Sequence, residues 1–230
     1  MSCHNWAQRI GLFAIFAILP FGCSTLGSSN NFADKARAYD AFIAQQLSTD
    51  DIFIEGGFAA MPTAFQFLDD QLSSLDKVVG LQDGPLLGGI YLASQALRFA
   101  STSDPEARKN VISMLNGLRV MSFVSPQGKG YFVRGVLRKT SSALRSFGGS
   151  CDEASACAEA TYMGNAVIYP TKKASRDQYS GVLYGFAETR DMVTDPAVLD
   201  ELRIQTKVII TYLMKNNFTL PAPPPQKAST

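Results

Sequence analysis

Apolar residues recur at steps of three and four positions along most of the chain beyond residue 31. This spacing predicts amphipathic helices over Phe32–Leu47 and over residues 61–79. The intervening stretch 51–58 carries the pair Gly56-Gly57 and is predicted to be a short extended or irregular link. The pattern of hydrophobic and polar positions therefore predicts a mainly helical domain.

Beyond residue 88 the chain resembles itself at an offset of about 92 residues, with GIYLASQALRFA matching GVLYGFAETRDM. Each copy then reaches an Asp-Pro pair, Asp104-Pro105 and Asp195-Pro196, and continues into an amphipathic stretch. An aspartate at the N-cap followed by proline at the first helical position is a strong start signal. The repeat therefore predicts two helical hairpins, each with one buried and one surface helix, that stack on each other.

The first 22 residues have the features of an export signal. Residues 10–19 form an unbroken apolar run, which is well short of the ~20 residues that a spanning helix needs. Pro20 ends this run, and small residues follow it. We therefore predict that residues 1–22 are a signal peptide. The simplest alternative to an anchored product is a secretory signal cut near Ser24 or Thr25, which leaves a soluble protein.

The segment Leu19-Pro20-Phe21-Gly22-Cys23 resembles the lipobox of bacterial lipoproteins, although Pro20 stands where a leucine is usual. In that family the cysteine thiol receives a diacylglyceryl group, and a peptidase then cuts the chain before the cysteine. The amino group that this cut creates is acylated with a fatty acid such as palmitate. The resemblance implies lipidation of Cys23 and anchoring in a membrane. Because Ser24 follows the cysteine, it also implies the outer membrane, facing the periplasm or the cell surface.

Cysteine counting agrees with a lipid on Cys23. Of the four cysteines, Cys3 leaves with the signal and Cys23 takes the lipid, so Cys151 and Cys157 remain as a pair. An even pair in an oxidising compartment predicts a disulfide, here stapling the long connection between residues 139 and 176. A metal site is the competing explanation, but two cysteines without histidine do not complete a zinc shell.

Composition removes several classes of function. Loss of residues 1–22 takes away Arg9 and no acid, so the remaining basic residues equal the 20 acidic ones, and no nucleic-acid footprint is expected. His4 is the only histidine and lies in the signal, which excludes Ser-His-Asp, Cys-His and HExxH chemistry. No phosphate-binding glycine loop is present. We therefore predict neither a metal nor a cofactor.

The runs GGIYLASQALRFA, DPEARKNVISMLNGL, GYFVRGV and SRDQYSGVLYGFAE are similar to six-hairpin (α/α) toroids of the glycosidase-like superfamily, over roughly residues 80–218. In that family inner helices line a cavity, and the loops at one end carry the site. This chain has room for about seven or eight helices, fewer than a complete toroid. The expected fold is therefore all-α: a partial toroid or open helical array with a disulfide-stapled loop. The domain is predicted over residues 32–220, with a flexible tether at 23–31 and a disordered proline-rich tail at 221–230.

Two aspartates stand just before the predicted inner helices, at equivalent places in the two repeats. The resemblance to toroids implies that residues at these helix starts face the cavity. Asp83 and Asp177 are therefore candidates for a pair of acid–base carboxylates, as glycosidase chemistry requires. The alternative is that each aspartate caps its own helix.

Other polar and aromatic residues near these helix starts are candidates for binding a ligand. Arg134 and Arg176 suit an anionic group, although structural ion pairs also explain them. Tyr179 offers an aromatic surface for a sugar, whereas core packing explains Tyr91 and Tyr184 equally well. The sequence therefore favours a lipid-anchored envelope protein whose helical hairpins bind a glycan or a protein without catalysis. The alternative is a carbohydrate-active enzyme that uses Asp/Glu acid–base chemistry.

Overall fold

The computed structural model describes residues 32–48, 53–60, 64–67, 75–79, 83–140 and 157–221. The signal, the tether, nearly all of the proline-rich tail and Cys151 lie outside this described part, so the predictions made for them stay predictions. The chain divides into two compact units, residues 1–43 and residues 44–230. In the first unit, the described residues belong to a helix with an exposed Arg37–Asp34 ion pair of 2.9 Å and an exposed Tyr39.

The described residues contain five helices and seven short strands. The helices are α1 (Phe32–Leu47), α2 (Gly84–Thr102), α3 (Pro105–Phe123), α4 (Arg176–Met192) and α5 (Pro196–Lys215). The strands are β1 (Phe53–Ile54), β2 (Gly57–Phe58), β3 (Ala64–Phe67), β4 (Leu75–Val79), β5 (Leu137–Arg138), β6 (Cys157–Tyr162) and β7 (Asn165–Pro170). Within these residues, no helix has both the length and the apolar character needed to cross a membrane.

Both Asp-Pro helix starts are confirmed. Asp104 accepts a hydrogen bond from the backbone N–H of Glu106 at 2.9 Å, and Asp195 accepts one from Ala197 at 2.9 Å. The proline that follows each aspartate begins α3 and α5 respectively. Because only two residues connect α2 to α3, and only three connect α4 to α5, each pair forms an antiparallel hairpin, as the repeat predicts.

Glycines bring α2 and α4 into backbone contact. A Cβ added to Gly89 would overlap the carbonyl oxygen of Gly181, and one added to Gly185 would overlap the carbonyl oxygen of Gly89. Gly181 lies in turn against the backbone of Leu86. Since Leu86 meets Gly181 and Gly89 meets Gly185, the contacts advance in the same direction along both helices, which therefore run parallel.

The outer helices α3 and α5 also run parallel. Near the start of both helices, Arg108 forms an ion pair with Asp195. Further along, Gln205 donates to the carbonyl of Leu115 at 2.8 Å, and Arg119 lies 3.5 Å from Glu201. The two hairpins are therefore stacked side by side in the same orientation.

The prediction of an all-α fold is correct only in part, because three small antiparallel sheets accompany the helices. The helix predicted over residues 61–79 is wrong: β3 pairs with β4, with Phe65 opposite Val78. Aromatic and β-branched residues at these positions favour a pleated strand, and their spacing over so short a stretch does not separate the two structures. The link at residues 53–58 is a hairpin of β1 and β2, which turns at Glu55 and Gly56, both with positive φ.

The third sheet lies in the connection between the two hairpins, with strand order β5-β7-β6. Strands β6 and β7 form a hairpin that turns at Met163 and Gly164. Cys157 begins β6, whereas Cys151 lies outside the described residues, so the stapling disulfide stays a prediction. What the structure supports is a mainly helical fold with small sheets.

Candidate functional site

One end of the stacked hairpins collects the functional candidates. Since α2 and α4 are parallel and each is followed by an antiparallel partner, the starts of α2 and α4 lie beside the ends of α3 and α5. The segment 124–136 crosses this end, which we call the loop end. Gly130 in this segment donates to Ser122 at 2.8 Å and accepts from the hydroxyl of Tyr179 at 2.9 Å. The loop end is therefore tied to helices from both hairpins.

The two candidate aspartates stand at the starts of neighbouring helices. Asp83 is the N-cap of α2, but its side chain makes no capping hydrogen bond. Asp177 lies inside the first turn of α4, where Ser175 is the N-cap and its N–H donates to Gln178 at 3.2 Å. Side-chain capping therefore explains neither aspartate.

The helix contact fixes how the two carboxylates are placed along the helix axes. Asp83 precedes Leu86 by three residues, and Asp177 precedes Gly181 by four, while Leu86 and Gly181 lie in contact. At 1.5 Å per residue, the two aspartates are offset along the axes by only about 1.5 Å. Backbone contact between helices also places their axes toward the close end of the usual ~8–10 Å range. The structure thus brings the predicted pair to one end of two adjacent helices.

The exposed sides of α2 and α4 also face the same way. On α2, the exposed positions are rotated by about 90° from the Leu86–Gly89 contact; on α4, they are rotated by about 90° in the opposite sense from the Gly181–Gly185 contact. For two parallel helices that face each other, opposite rotations lead to the same side. We call this surface the shared face, and it contains Asp83, Ile90, Ser94, Asp177, Ser180 and Tyr184.

The aromatic group on the shared face is Tyr184, not Tyr179. Tyr184 is 51% exposed, whereas Tyr179 is only 5% exposed and packs edge-on against Phe132 at 5.3 Å. Burial raises the pKa of Tyr179, whose hydroxyl is engaged with Gly130. The prediction that Tyr179 contacts a ligand is therefore not supported by its position. Tyr91 is buried, as the core alternative predicted.

The two candidate arginines have different environments. Arg134 donates from Nη2 and Nε to the carbonyl oxygen of Lys173, at 2.8 and 3.3 Å. It therefore holds the segment that leads into α4. Arg176 begins α4 and is exposed beside Asp177. Of the two, Arg176 is the better placed to meet a ligand.

Two concave regions lie near the loop end, and neither is lined by Asp83 or Asp177. A small one of about 60 Å³ lies between Pro126, Tyr131 and Tyr169. A larger one of about 370 Å³ lies between the segment at residues 127–129 and α5. Among the described residues, no group of His, Cys, Asp and Glu side chains is arranged to hold a metal ion.

Sequence reasoning missed Ser180, and for Tyr184 it left core packing and contact with a sugar as equal alternatives. The spacing of Asp177, Ser180 and Tyr184, at steps of three and four, places them on one side of a helix and was available as a signal. What the sequence lacks is the direction of that side, because this depends on which small residues contact the neighbouring helix.

Comparison with known proteins gives no assignment. No protein family, curated protein or solved structure matches this chain. Any function must therefore be argued from the residues and their arrangement.

Proposed function

We propose that this protein is a lipid-anchored component of a bacterial envelope, held through Cys23, whose helical hairpins bind a glycan without catalysing a reaction. In this proposal the two hairpins are part of an (α/α) toroid-like array, and the shared face is the part of its inner surface that meets the ligand. The long connection that contains the third sheet is stapled by a Cys151–Cys157 disulfide.

The observation that carries the proposal is the composition of the shared face. Carboxylates at its loop end lie on the same side as an exposed tyrosine ring and two serines. Carboxylates and hydroxyls form hydrogen bonds with sugar hydroxyls, and a tyrosine ring packs against the apolar face of a sugar. Desolvation and the nearby Glu188 carboxylate raise the pKa of Tyr184, so its hydroxyl stays neutral and both donates and accepts.

Openness of this face favours binding over catalysis. A general acid near neutral pH needs a raised pKa, and burial away from water is one of the two common causes of such a shift. Asp177 is exposed on the first turn of α4. A protein partner is the second kind of ligand that such a face accommodates, and the exposed Ile90 would then contribute to contact.

One observation favours the enzymatic alternative. Asp83 and Asp177 lie at the same end of two closely packed helices, and neither is used as a side-chain cap. Glycosidases place their two carboxylates about 5–10 Å apart. A carbohydrate-active enzyme that uses this pair is therefore the alternative, and the experiment below separates the two.

The test measures binding of neutral oligosaccharides to the full mature chain by isothermal titration calorimetry. We expect Tyr184→Ala to weaken binding by about tenfold or more, since a stacked ring contributes roughly 0.5–1.5 kcal/mol beyond its buried area. The matched control is Tyr39→Ala, which removes another exposed tyrosine that lies on α1. Equal effects of the two variants, or no binding of any neutral glycan, would overturn the proposal.

A second measurement addresses catalysis. The same oligosaccharides are incubated with the wild type, with Asp83→Asn and with Asp177→Asn, and the products are separated by size. We expect no cleavage by any of the three proteins. Cleavage by the wild type that both variants abolish would replace the binding function with the enzymatic one.

A further inference from the structure

A second surface at the loop end has a different chemistry from the shared face. The concave region of about 370 Å³ between residues 127–129 and α5 brings together three lysines from two separate elements. We call it the lysine cleft. The side chains that matter here are those of Gln127, Lys129, Lys207, Thr211, Lys215 and Asn216.

Backbone packing holds the two walls of the cleft together. Gly130 has φ +98°, and a Cβ there would collide with the Cβ of Tyr212 at 2.6 Å and the carbonyl of Val208 at 2.9 Å. The loop therefore approaches α5 as closely as only glycine permits. The carbonyl of Gly130 accepts from Tyr179, and Tyr131 packs edge-on against Tyr212 at 5.9 Å. The lysines are thus carried on fixed elements, not on a loose loop.

Among the described residues, no aspartate or glutamate lines the lysine cleft. Beyond Glu201, the rest of α5 and the residues up to 221 contain neither aspartate nor glutamate. The acids before that point are already paired, since Asp200 lies 3.5 Å from Arg203 and Glu201 lies 3.5 Å from Arg119. The three ammonium groups consequently share a concave surface without a counter-charge among its lining residues, which raises the local positive potential.

Structural roles explain the lysines only in part. Lys215 is in the last turn of α5, where a cation is favourable toward the helix dipole. Lys129 lies 5.2 Å from the centre of the Phe123 ring, so a cation–π contact orients it. Lys207 is in the middle of α5, and neither explanation applies to it. Lys207 and Lys215 are two turns apart on α5, about 12 Å along the axis.

We propose that the lysine cleft binds the acidic groups of a linear glycan that carries carboxylates or phosphates. A chain with repeated negative charges reaches Lys207 and Lys215 together, which a single small anion does not do as well. Gln127, Thr211 and Asn216 lie among the lysines and suit the hydroxyls between the charges. That the anion belongs to a glycan rests on the function proposed above, whereas recognition of anionic groups rests on the cleft alone.

Shape and composition favour a glycan over the other common polyanions. A membrane surface is engaged by a protruding amphipathic face, whereas these lysines line a concave region. Single-stranded nucleic acid needs aromatic platforms for its bases, whereas Tyr212, the aromatic residue among the described residues that line the cleft, is buried. Both polyanions are nevertheless included in the test.

The test titrates the full mature chain with polygalacturonate, a linear polymer of uronic acid, and with neutral dextran. The variant Lys129→Gln/Lys207→Gln/Lys215→Gln removes three charges from the cleft. We expect it to bind polygalacturonate about tenfold more weakly than the wild type, since each lost charge pair contributes modestly. We also expect wild-type binding to weaken as salt is raised, because exposed charges are screened.

The matched control is Lys35→Gln/Lys109→Gln/Lys139→Gln, which makes the same change in net charge at exposed positions that are not among the residues lining the cleft. Circular dichroism confirms folding of both variants, and Lys207→Arg is expected to retain binding because the charge is kept. Equal weakening in the cleft and control variants would show a non-specific charge effect and overturn the proposal. Absence of polygalacturonate binding would do the same.

Two further ligands complete the experiment, and both address the identity of the polyanion. Vesicles that contain anionic phospholipid and a single-stranded oligonucleotide are each titrated under the same conditions. Preference for either over polygalacturonate would overturn the glycan assignment. Loss of neutral-glycan binding in Tyr184→Ala without a change in polygalacturonate binding would show that the two sites act separately. Lysine-dependent polygalacturonate binding without any neutral-glycan binding would leave the cleft standing while the proposed function fails.

Discussion

Single glycines set the distance between the two hairpins. Replacement of Gly89 by alanine places a methyl group on the backbone carbonyl of Gly181, which no rotamer change relieves. We expect Gly89→Ala to reduce the free energy of unfolding by roughly 1–3 kcal/mol, the cost of overpacking a rigid contact. Denaturant titration followed by circular dichroism measures this loss.

The adjacent glycine provides the matched control. A methyl group on Gly88 meets the flexible end of Met114 at 2.9 Å rather than backbone, and alanine gains about 1 kcal/mol of helix propensity at either position. Gly88→Ala is therefore expected to stay within about 1 kcal/mol of the wild type. If both variants lose the same stability, the parallel backbone contact between α2 and α4 is not the interaction that holds the hairpins together.

The cap of α5 gives a prediction about pH. The hydrogen bond from Arg108 lowers the pKa of Asp195 below its ordinary value of 3.8, and the capping N–H of Ala197 lowers it further by a smaller amount. The folded state therefore binds this proton less tightly than the unfolded state does. As a result, the ionised Asp195 contributes its full stabilisation of the folded state when the pH is above the pKa of the unfolded state. This stabilisation is lost as the pH falls through the lower, folded pKa.

Asp195→Asn removes the charge and keeps a side chain that caps well. We therefore expect the stability difference between the wild type and Asp195→Asn to be constant near neutral pH and to shrink below about pH 4. Denaturant titrations across this range measure it, with the exposed Asp200→Asn as the control. A difference that grows on acidification would contradict the assigned direction of the pKa.

At the scale of elements, Arg134 connects the segment after α3 to the start of α4. Its two donors hold the carbonyl of Lys173, and the next amide, that of Ala174, donates to Tyr131 at 2.9 Å. We expect Arg134→Met to speed hydrogen exchange at the Ala174 amide several-fold while leaving the middle of α4 unchanged, because the loss is local. The control is Arg203→Met, at an exposed position of α5. Equal exchange at Ala174 in the wild type, Arg134→Met and Arg203→Met would show that the contact of Arg134 with the Lys173 carbonyl does not hold this segment.

The predictable elements were those with local signals. The Asp-Pro starts of α3 and α5 carry their own capping chemistry, so sequence placed them correctly. Residues 61–79 carry none, and in that stretch β3 and β4 pair across residues whose spacing also fits a helix. The sequence favoured Tyr179 as the ligand-binding tyrosine, whereas Tyr184 is the exposed one, and here too a local signal was lacking. The contact between Gly89 and Gly181 decides which side of α4 is buried.

At the scale of the whole molecule, the two hairpins leave apolar side chains exposed on the outer helix α5, namely Ile204, Ile210 and Met214. In a stacked array of hairpins, such positions are where a further repeat packs. A further hairpin at this place is what the proposed toroid-like array requires. The sequence indicated the repeat, whereas the closeness of its two copies follows from glycines that contact only in three dimensions.

Anchoring through Cys23 is a prediction about the mature molecule, and mass spectrometry of protein extracted from bacterial membranes tests it directly. We expect the mature polypeptide to begin at Cys23. Its intact mass should exceed that of the bare polypeptide by a diacylglyceryl group and an amide-linked acyl chain. Buried acyl methylenes contribute about 0.8 kcal/mol each, so three chains hold the domain at the membrane without a spanning helix. Cys23→Ser is expected to abolish the added mass and to release the protein from the membrane fraction, whereas Cys3→Ser, within the signal, leaves both unchanged. A wild-type mass that lacks acyl groups, with cleavage after Cys23, would establish the soluble secreted protein instead.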